Sequence, residues 1–524
     1  MEWLSAFNVF MFILFSLQVN AQNGVMQVSE MGSLDEQNYC FVYNSNWTPI
    51  PPTFNSSLRI FTSTYLCKED DIPVVVKGLA ILVMRKNCSF SEKAIIAQKK
   101  EATALVIASE QELNIPSGNS STLDKVNIPV VLVKYTDVQA LEQHFKGNLT
   151  VKLSVPVAPL FDSSIVVLFL IGVLTVALGG YWSGAAERNE MDSQTALEGD
   201  GRRTEKSDVL IFSPLKIVVF VGIMCGMLLL LYYFYRFLVY LIICIFCIAS
   251  AMALFHCLSV LLEKVPYGRC SFSCRSKTVE IRMILLGAAC ITLSVIWAVY
   301  RNEDSWVWIL QDFLGVAFCL NFLRVIKISS FKLHVILLSL LLVYDVFFVF
   351  ITPFLTKSGE SIMIDVASGG GSSDEKNGGS VLQGLPDSTS RREKLPVLMR
   401  VPRLNDPAPN VCGIQFSILG YGDIIVPGLL VAYCHRFDIW VNNSSRIYFI
   451  SCTIAYAFGM GLTLLVLLLT KMGQPALLYL VPCTLITSSI VAWRCKQMRQ
   501  FWVGSNYEVL DSTREPLLQG GKDP

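Results

Sequence analysis

Long runs of apolar residues follow one another between residue 164 and residue 493 of the chain. A helix rises 1.5 Å per residue, so about 20 apolar residues cross the roughly 30 Å hydrocarbon core of a bilayer. Nine runs meet that length, at 164–182, 217–235, 237–262, 283–300, 306–322, 333–355, 414–433, 447–470 and 475–493. The pattern predicts an α-helical polytopic membrane protein with nine transmembrane helices.

The N-terminal part of the chain has a different pattern. Residues 1–21 contain an apolar stretch that ends in a small-x-small sequence, which predicts a secretory signal peptide. Residues 22–160 predict a small α/β module, with short strands at 79–84, 104–108 and 130–133 and a helix at 91–100. Sequons crowd into this module and predict a lumenal, glycosylated domain; their asparagines are Asn46, Asn55, Asn87, Asn119 and Asn148.

Charges in the short loops give the orientation. Lys and Arg favour the cytosolic side of short loops. With the N-terminal domain in the lumen, the predicted cytosolic connections carry Lys264, Arg269, Arg275, Lys277, Arg282, Arg324, Lys327, Lys332, Arg436 and Arg446, whereas the short lumenal ones carry only Arg236, Arg301 and Lys471. We therefore expect a cytosolic tail at 494–524, a flexible lumenal loop at 357–410, and sequons at Asn442 and Asn443 that stay unglycosylated on the cytosolic side.

Composition supports the membrane assignment. Hydrophobic residues make up 53% of the chain and charged residues 16%, where soluble proteins carry about 25%. The 42 Lys and Arg residues nearly balance the 41 Asp and Glu residues, so no basic surplus favours nucleic acid as a partner. Membrane lipid is the expected surrounding.

Cysteines in the N-terminal module lie in an oxidising compartment under this topology. Cys40, Cys67 and Cys88 predict one disulfide and one remaining thiol, with the pairing left open.

Three carboxylates lie inside the apolar runs. Asp345 and Asp423 are near the middle of the sixth and seventh runs, and Asp312 lies in the fifth. A charge in mid-membrane is costly and is normally kept for a function. Two facing carboxyls that share one proton could act as an aspartyl dyad, in which one activates water and the other protonates a carbonyl oxygen. Interhelical hydrogen bonding, or a proton relay in a transporter, remain alternatives at this point.

Residues around the two carboxylates favour the dyad. Gly420 and Gly422 precede Asp423 and allow another backbone to come close. Tyr344 precedes Asp345, and its hydroxyl could bond within the site or simply pack. Pro475 opens the ninth run and lacks an amide proton, so the turn that it forms with Ala476 and Leu477 could face a substrate.

These three segments resemble the YD, GxGD and PAL motifs of the GxGD intramembrane aspartic proteases, and the whole organisation resembles their signal-peptide-peptidase-like 2 subfamily. The resemblance implies that Asp345 and Asp423 are the catalytic pair and that Pro475, Ala476 and Leu477 shape the site. It also implies type II transmembrane proteins as substrates, a lumenal domain resembling the protease-associated domain, and residence in endosomes, lysosomes or the plasma membrane.

The tail contains Tyr507-Glu508-Val509-Leu510, in which Tyr507 and Leu510 have the form of an adaptor-read sorting signal. Sorting adaptors are thus a second class of expected partner, and a homo-oligomer is a third that the sequence leaves open.

Other chemistries find less support. The sequence has no HExxH motif, and Cys270 and Cys274 have no matching Cys or His pair, so we expect no metal. We also expect no organic cofactor. The opposing functional class is a non-enzymatic channel or a proton-coupled transporter, but the internal repeat that many transporters show is not visible here.

Overall fold

The computed structural model describes much of the chain in two compact units. Described are residues 21–31, 35–44, 47–52, 54–72, 76–85, 88–110, 116, 125–155, 162–198, 214–263, 271–274, 277–303, 305–355, 361–363, 366, 395–404, 409–412, 415–470 and 474–504. The predicted signal peptide therefore lies outside the described residues, apart from Ala21. The same holds for Asn46, Asn87, Asn119, Tyr507 and Leu510.

The N-terminal unit is a closed barrel of seven strands in the order β1-β2-β6-β5-β4-β3-β7. The strands are β1 (Ala21–Glu30), β2 (Glu36–Asn44), β3 (Phe54–Phe61), β4 (Leu79–Met84), β5 (Ala104–Ser109), β6 (Val130–Lys134) and β7 (Leu149–Ser154). Two helices, α1 (Phe90–Lys99) and α2 (Tyr135–His144), complete it. The structure confirms the three predicted strands and the predicted helix, and adds four strands and α2.

Local sequence explains the central elements. β4, β5 and β6 pair in parallel. Parallel strands are usually covered on both faces, so their sequences are continuous apolar runs. α1 begins with a capping box, in which the Ser89 hydroxyl accepts the Glu92 amide at 3.3 Å and the Glu92 carboxylate accepts the Ser89 amide at 3.0 Å. Asn55 and Asn148 are both exposed, as a glycan requires.

Two disulfides replace the predicted single one. Cys67 bonds to Cys88 within the barrel, and Cys40 bonds to Cys412, 372 residues away in sequence. The expectation of a remaining thiol among Cys40, Cys67 and Cys88 is therefore wrong. Cys412 comes from the segment 403–415, which belongs to the N-terminal unit although it follows the first six spans in the chain.

The second unit is helical. Its elements are α3 (Ser163–Glu198), α4 (Pro214–Tyr235), α5 (Phe237–Glu263), β8 (Ser271–Cys274), β9 (Lys277–Glu280), α6 (Ile281–Tyr300), α7 (Val307–Val325), α8 (Phe331–Val346), β10 (Leu398–Pro402), β11 (Phe416–Gly420), α9 (Tyr421–Trp440), α10 (Ile447–Thr470), α11 (Leu477–Arg494) and α12 (Met498–Val503). Eight of the described helices are long and apolar enough to cross a membrane. α9 has the length too, but it carries Asp423, Arg436 and Asp438. The polytopic helical fold is thus confirmed, and nine spans are consistent with it.

The seventh span begins later than predicted. Residues 416–420 form the strand β11, which pairs antiparallel with β10, and the helix starts only at Tyr421. The helix also continues to Trp440, past the predicted end at residue 433, so Arg436, expected in a cytosolic connection, is inside α9 and fully buried. The apolar, partly β-branched segment suits a strand as well as a helix, and pairing with β10 decides between them.

Two predicted irregular segments are also partly folded. The loop expected at 357–410 contains β10 and the first two residues of a short helical turn at Pro409–Cys412. The tail contains α12, whose Phe501 is fully buried among Phe331, Tyr433, Phe437 and Tyr448. The Tyr433 hydroxyl donates to the Phe501 carbonyl at 2.6 Å. The tail is therefore part of the helical unit as far as Gly504.

Candidate active site

The site is built from the ends of three helices, and α8 brings the first carboxylate. Asp345 lies near the end of α8 and is 4% exposed. A π-helical turn follows directly, at Phe347–Ile351. Such turns insert a residue into a helix and are frequent at functional sites. Tyr344 packs its ring on Phe348, with centroids 4.8 Å apart, so packing is what the structure shows for this residue.

α9 brings the second carboxylate in its first turn. Gly420 is the N-cap of α9 and has extended backbone angles, and Asp423 is the third residue of the helix. At this position an acidic side chain can turn back toward the N-cap, and the Asp423 carboxylate lies beside Gly420. The helix dipole also favours a negative charge there. The G-x-G-D sequence thus places its own carboxylate at the start of the helix.

The structure distinguishes the two glycines of this motif. A Cβ on Gly420 would lie 3.2 Å from the Asp423 carboxylate oxygen Oδ2, whereas a Cβ on Gly422 would meet nothing within 4 Å. Close approach is thus observed at Gly420, where the chain pairs with Leu398 of β10. At Gly422 no described backbone comes close, so the expectation that another backbone approaches there stays a prediction. Gly422 is exposed and leaves open space beside Asp423.

The segment before α11 presents a backbone donor. Leu478 and Tyr479 donate to the carbonyls of Pro475 and Ala476 at 3.2 and 3.1 Å, which closes a tight turn. The backbone amide of Leu477, which follows Ala476 in this turn, lies beside the carboxylate of Asp345. Leu477 is therefore the residue of this motif that approaches the first carboxylate, and it does so through its backbone, while Pro475 and Ala476 form the turn.

The two carboxylates lie close enough to interact electrostatically. Each lies beside one backbone amide, that of Leu477 for Asp345 and that of Gly420 for Asp423. Among the described residues, the Oδ2 atom of Asp345 is buried without a hydrogen-bond partner. An oxygen of this kind is available to a proton, a water molecule or a carbonyl group.

Sequence reasoning missed Tyr456 of α10. Pro427 has no amide proton, so the Asp423 carbonyl, four residues earlier, loses its normal intrahelical donor. The buried Tyr456 hydroxyl donates to that carbonyl at 3.4 Å. The spacing between Asp423 and Pro427 is visible in the sequence and signals the need for such a donor, but only the fold shows which residue supplies it.

A family model described as signal peptide peptidase matches residues 204–508, which include all three of these segments. The chain belongs to the signal peptide peptidase family. A second model, described as the PA domain, matches residues 47–141, within the N-terminal unit.

Relatives match over nearly the whole length. Human signal peptide peptidase-like 2A is 49% identical over 97% of this chain and 96% of its own, and chicken signal peptide peptidase-like 2B is 44% identical over 97% and 84%. Mouse signal peptide peptidase-like 2C is 35% identical over 98% and 78%. These relatives confirm the predicted subfamily and the predicted enzyme class, an intramembrane aspartic protease. The roles of individual residues stay predictions.

Proposed function

We propose that Asp345 and Asp423 form a water-activating dyad that hydrolyses peptide bonds inside transmembrane segments of type II membrane proteins. The observation that carries this proposal is the convergence of two carboxylates from separate helices, each beside a backbone amide. Two neighbouring carboxyls cannot easily carry two charges, so the pair retains one proton.

The reaction follows from that shared proton. The ionised carboxylate takes a proton from water, and the water oxygen attacks the carbonyl carbon of the scissile bond. The protonated carboxyl gives its proton to the carbonyl oxygen, which forms a neutral tetrahedral diol. Transfer of a proton to the leaving nitrogen then breaks the bond. No metal or organic cofactor enters these steps.

Orientation and location are part of the proposal. The resemblance to the subfamily supports type II substrates, and the loop charges support a lumenal N-terminal domain with a cytosolic C-terminus. We place the protein in late endosomes, lysosomes or the plasma membrane, with Tyr507 and Leu510 as the signal that a sorting adaptor reads.

The experiment uses the purified full-length chain in detergent with a model type II transmembrane substrate. Asp345→Asn and Asp423→Asn keep the size of each side chain and remove the acid, so each is expected to lower turnover at least about 100-fold. Glu263→Gln, at the exposed end of α5, is the matched control. An active Asp423→Asn enzyme would refute the dyad. Equal cleavage of the same segment in reversed orientation would refute the substrate class.

A further inference from the structure

The third intramembrane carboxylate, Asp312, is not part of the proposed dyad, and the structure places it on β10. Asp312 Oδ1 accepts the backbone amide of Arg400 at 2.9 Å. Its neighbour Gln311 donates from Nε2 to the carbonyl of Leu398 at 2.7 Å. Both α7 side chains are buried, at 5% and 6% exposure. We call Gln311 and Asp312 the α7 clamp.

The α7 clamp occupies one edge of β10. Residues two apart in a strand direct their backbone groups to the same side, so the Leu398 carbonyl and the Arg400 amide share an edge. The opposite edge pairs with β11. A neighbouring strand would normally satisfy the first edge, and here the amide of Gln311 and the carboxylate of Asp312 take its place.

The burial of β10 explains why polar residues are needed at this point of α7. The middle residues of β10 are buried in the protein, and a buried amide or carbonyl needs a hydrogen-bond partner. One donor and one acceptor on α7 match one acceptor and one donor on β10. This complementarity accounts for two adjacent polar residues in an apolar helix.

β10 connects the clamp to the site. Leu398 pairs with Gly420, the N-cap beside Asp423, and the Tyr421 amide donates to the Val397 carbonyl at 3.2 Å. The Tyr421 hydroxyl in turn donates to the Gln311 carbonyl at 3.4 Å. The start of α9 is therefore held by β10, by the residue before it and by α7.

Tyr421 also explains a glycine on α7. A Cβ on Gly315 would lie 2.2 Å from the Tyr421 hydroxyl oxygen, so only glycine leaves room for this ring. Gln311 and Gly315 are four residues apart and lie on the same face of α7. This face is shaped to receive the start of α9.

We propose that Gln311 and Asp312 are positioning residues, which hold β10 so that the β10–β11 pair sets the place of Asp423. This role rests on the function proposed above, since it matters to catalysis only if Asp423 is catalytic. Asp312 acts through the oxygen that accepts the Arg400 amide and takes no part in the chemistry.

The test distinguishes the role of Asp312 as a hydrogen-bond acceptor from the role of its negative charge. Asp312→Asn keeps an oxygen acceptor, whereas Asp312→Leu removes it and Gln311→Leu removes the donor to Leu398. Asn321→Leu, on the same helix, is the matched control. We expect both removals to lower kcat at least tenfold with KM changed less than twofold, and Asp312→Asn to retain at least half of the wild-type kcat.

A readout that does not depend on activity accompanies the kinetics. Hydrogen–deuterium exchange of the peptide containing Arg400 is expected to accelerate in Asp312→Leu and to stay as in the wild type in Asp312→Asn and Asn321→Leu. If Asp312→Leu does not fold, the exchange of Gln311→Leu reports on the same strand through Leu398.

The outcomes are distinguishable from those of the dyad. Wild-type kcat and exchange in Asp312→Leu, beside an inactive Asp423→Asn enzyme, would overturn the clamp and leave the dyad standing. An Asp312→Asn enzyme as inactive as Asp423→Asn would show that the Asp312 carboxyl itself takes part in the reaction, and would also overturn the proposal. Faster exchange together with a tenfold lower kcat supports it.

Discussion

At the scale of single residues, the start of α9 shows how a short sequence arranges a carboxylate. Gly420 caps the helix, Asp423 occupies the third position, and Pro427 removes the donor that the Asp423 carbonyl would otherwise have. Each of these is a local property of the sequence. Tyr456, which supplies the missing donor, comes from another helix.

Gly420→Ala and Gly422→Ala form a matched pair on the two sides of this cap. A methyl group at Gly420 would press on Asp423 Oδ2 at 3.2 Å, so we expect a lower kcat with an unchanged unfolding temperature. A methyl group at Gly422 meets nothing within 4 Å, so the carboxylate should not move. We therefore expect weaker inhibition by an aspartyl transition-state analogue in Gly420→Ala. Equal inhibition of that variant and the wild type would contradict the placement of the oxygen.

Tyr456→Phe should lower turnover by severalfold, because one buried carbonyl beside the site loses its donor and such a loss costs about 1–3 kcal/mol. Tyr448→Phe is the control on the same helix, since its hydroxyl bonds to Gln497 instead. Pro427→Ala restores an amide four residues after Asp423, so the double variant Tyr456→Phe/Pro427→Ala should recover turnover. No recovery would mean that the hydroxyl serves some other purpose.

At the scale of elements, the first part of the predicted cytosolic tail is folded as far as Gly504. α12 packs Phe501 into an aromatic cluster, and Gly504 follows with a positive φ of 70°. The part of the predicted tail that the structure describes is therefore held in the helical unit.

Phe501→Ala should destabilise the helical unit, since truncation of a buried aromatic residue costs about 3–5 kcal/mol. Trp502→Ala is the matched control, because that neighbouring side chain is 39% exposed. Thermal unfolding in detergent measures both. A smaller shift for Phe501→Ala than for Trp502→Ala would contradict the docking of α12.

Tyr507→Ala tests the sorting signal separately from this docking. We expect a larger fraction of the protein at the cell surface by biotinylation, with unchanged cleavage in detergent. Equal surface fractions would remove the sorting proposal and leave the protease assignment untouched.

At the scale of the whole molecule, one disulfide joins distant parts of the chain. Cys40 lies in the second strand of the barrel and Cys412 lies shortly before β11. The bond encloses the first six spans in one covalent loop. Within the N-terminal unit, it ties the segment 403–415 to the barrel.

A protease cleavage site inserted between Gly378 and Gly379 allows the Cys40–Cys412 bond to be tested on a gel. After cleavage, the two fragments should migrate together on a non-reducing gel and separate on a reducing gel. Cys412→Ser should separate them in both, while Cys67→Ser should not, since Cys67 and Cys88 lie in the same fragment. Separation of the wild-type fragments without reductant would contradict the Cys40–Cys412 bond.

How much the sequence predicted can be judged from particular elements. The apolar runs predicted the helical spans, because burial in lipid depends on local composition. Continuous apolar segments likewise predicted β4, β5 and β6. The neighbourhoods of Asp345, Asp423 and Pro475 were found because capping and turn formation act over four or five residues.

The tertiary structure decided what depends on distant partners. Whether residues 416–420 form helix or strand depends on β10, and the pairing of Cys40 depends on a residue 372 positions away. The sequence shows Asp312 only as an unexplained charge. Its partner is the backbone amide of Arg400, and a backbone amide cannot be recognised from the residue type. Sequence by itself determined where the chain can be buried and where it can be capped, since both depend on near neighbours. Only the fold determined which buried groups face each other, since that depends on contacts between residues far apart in the chain.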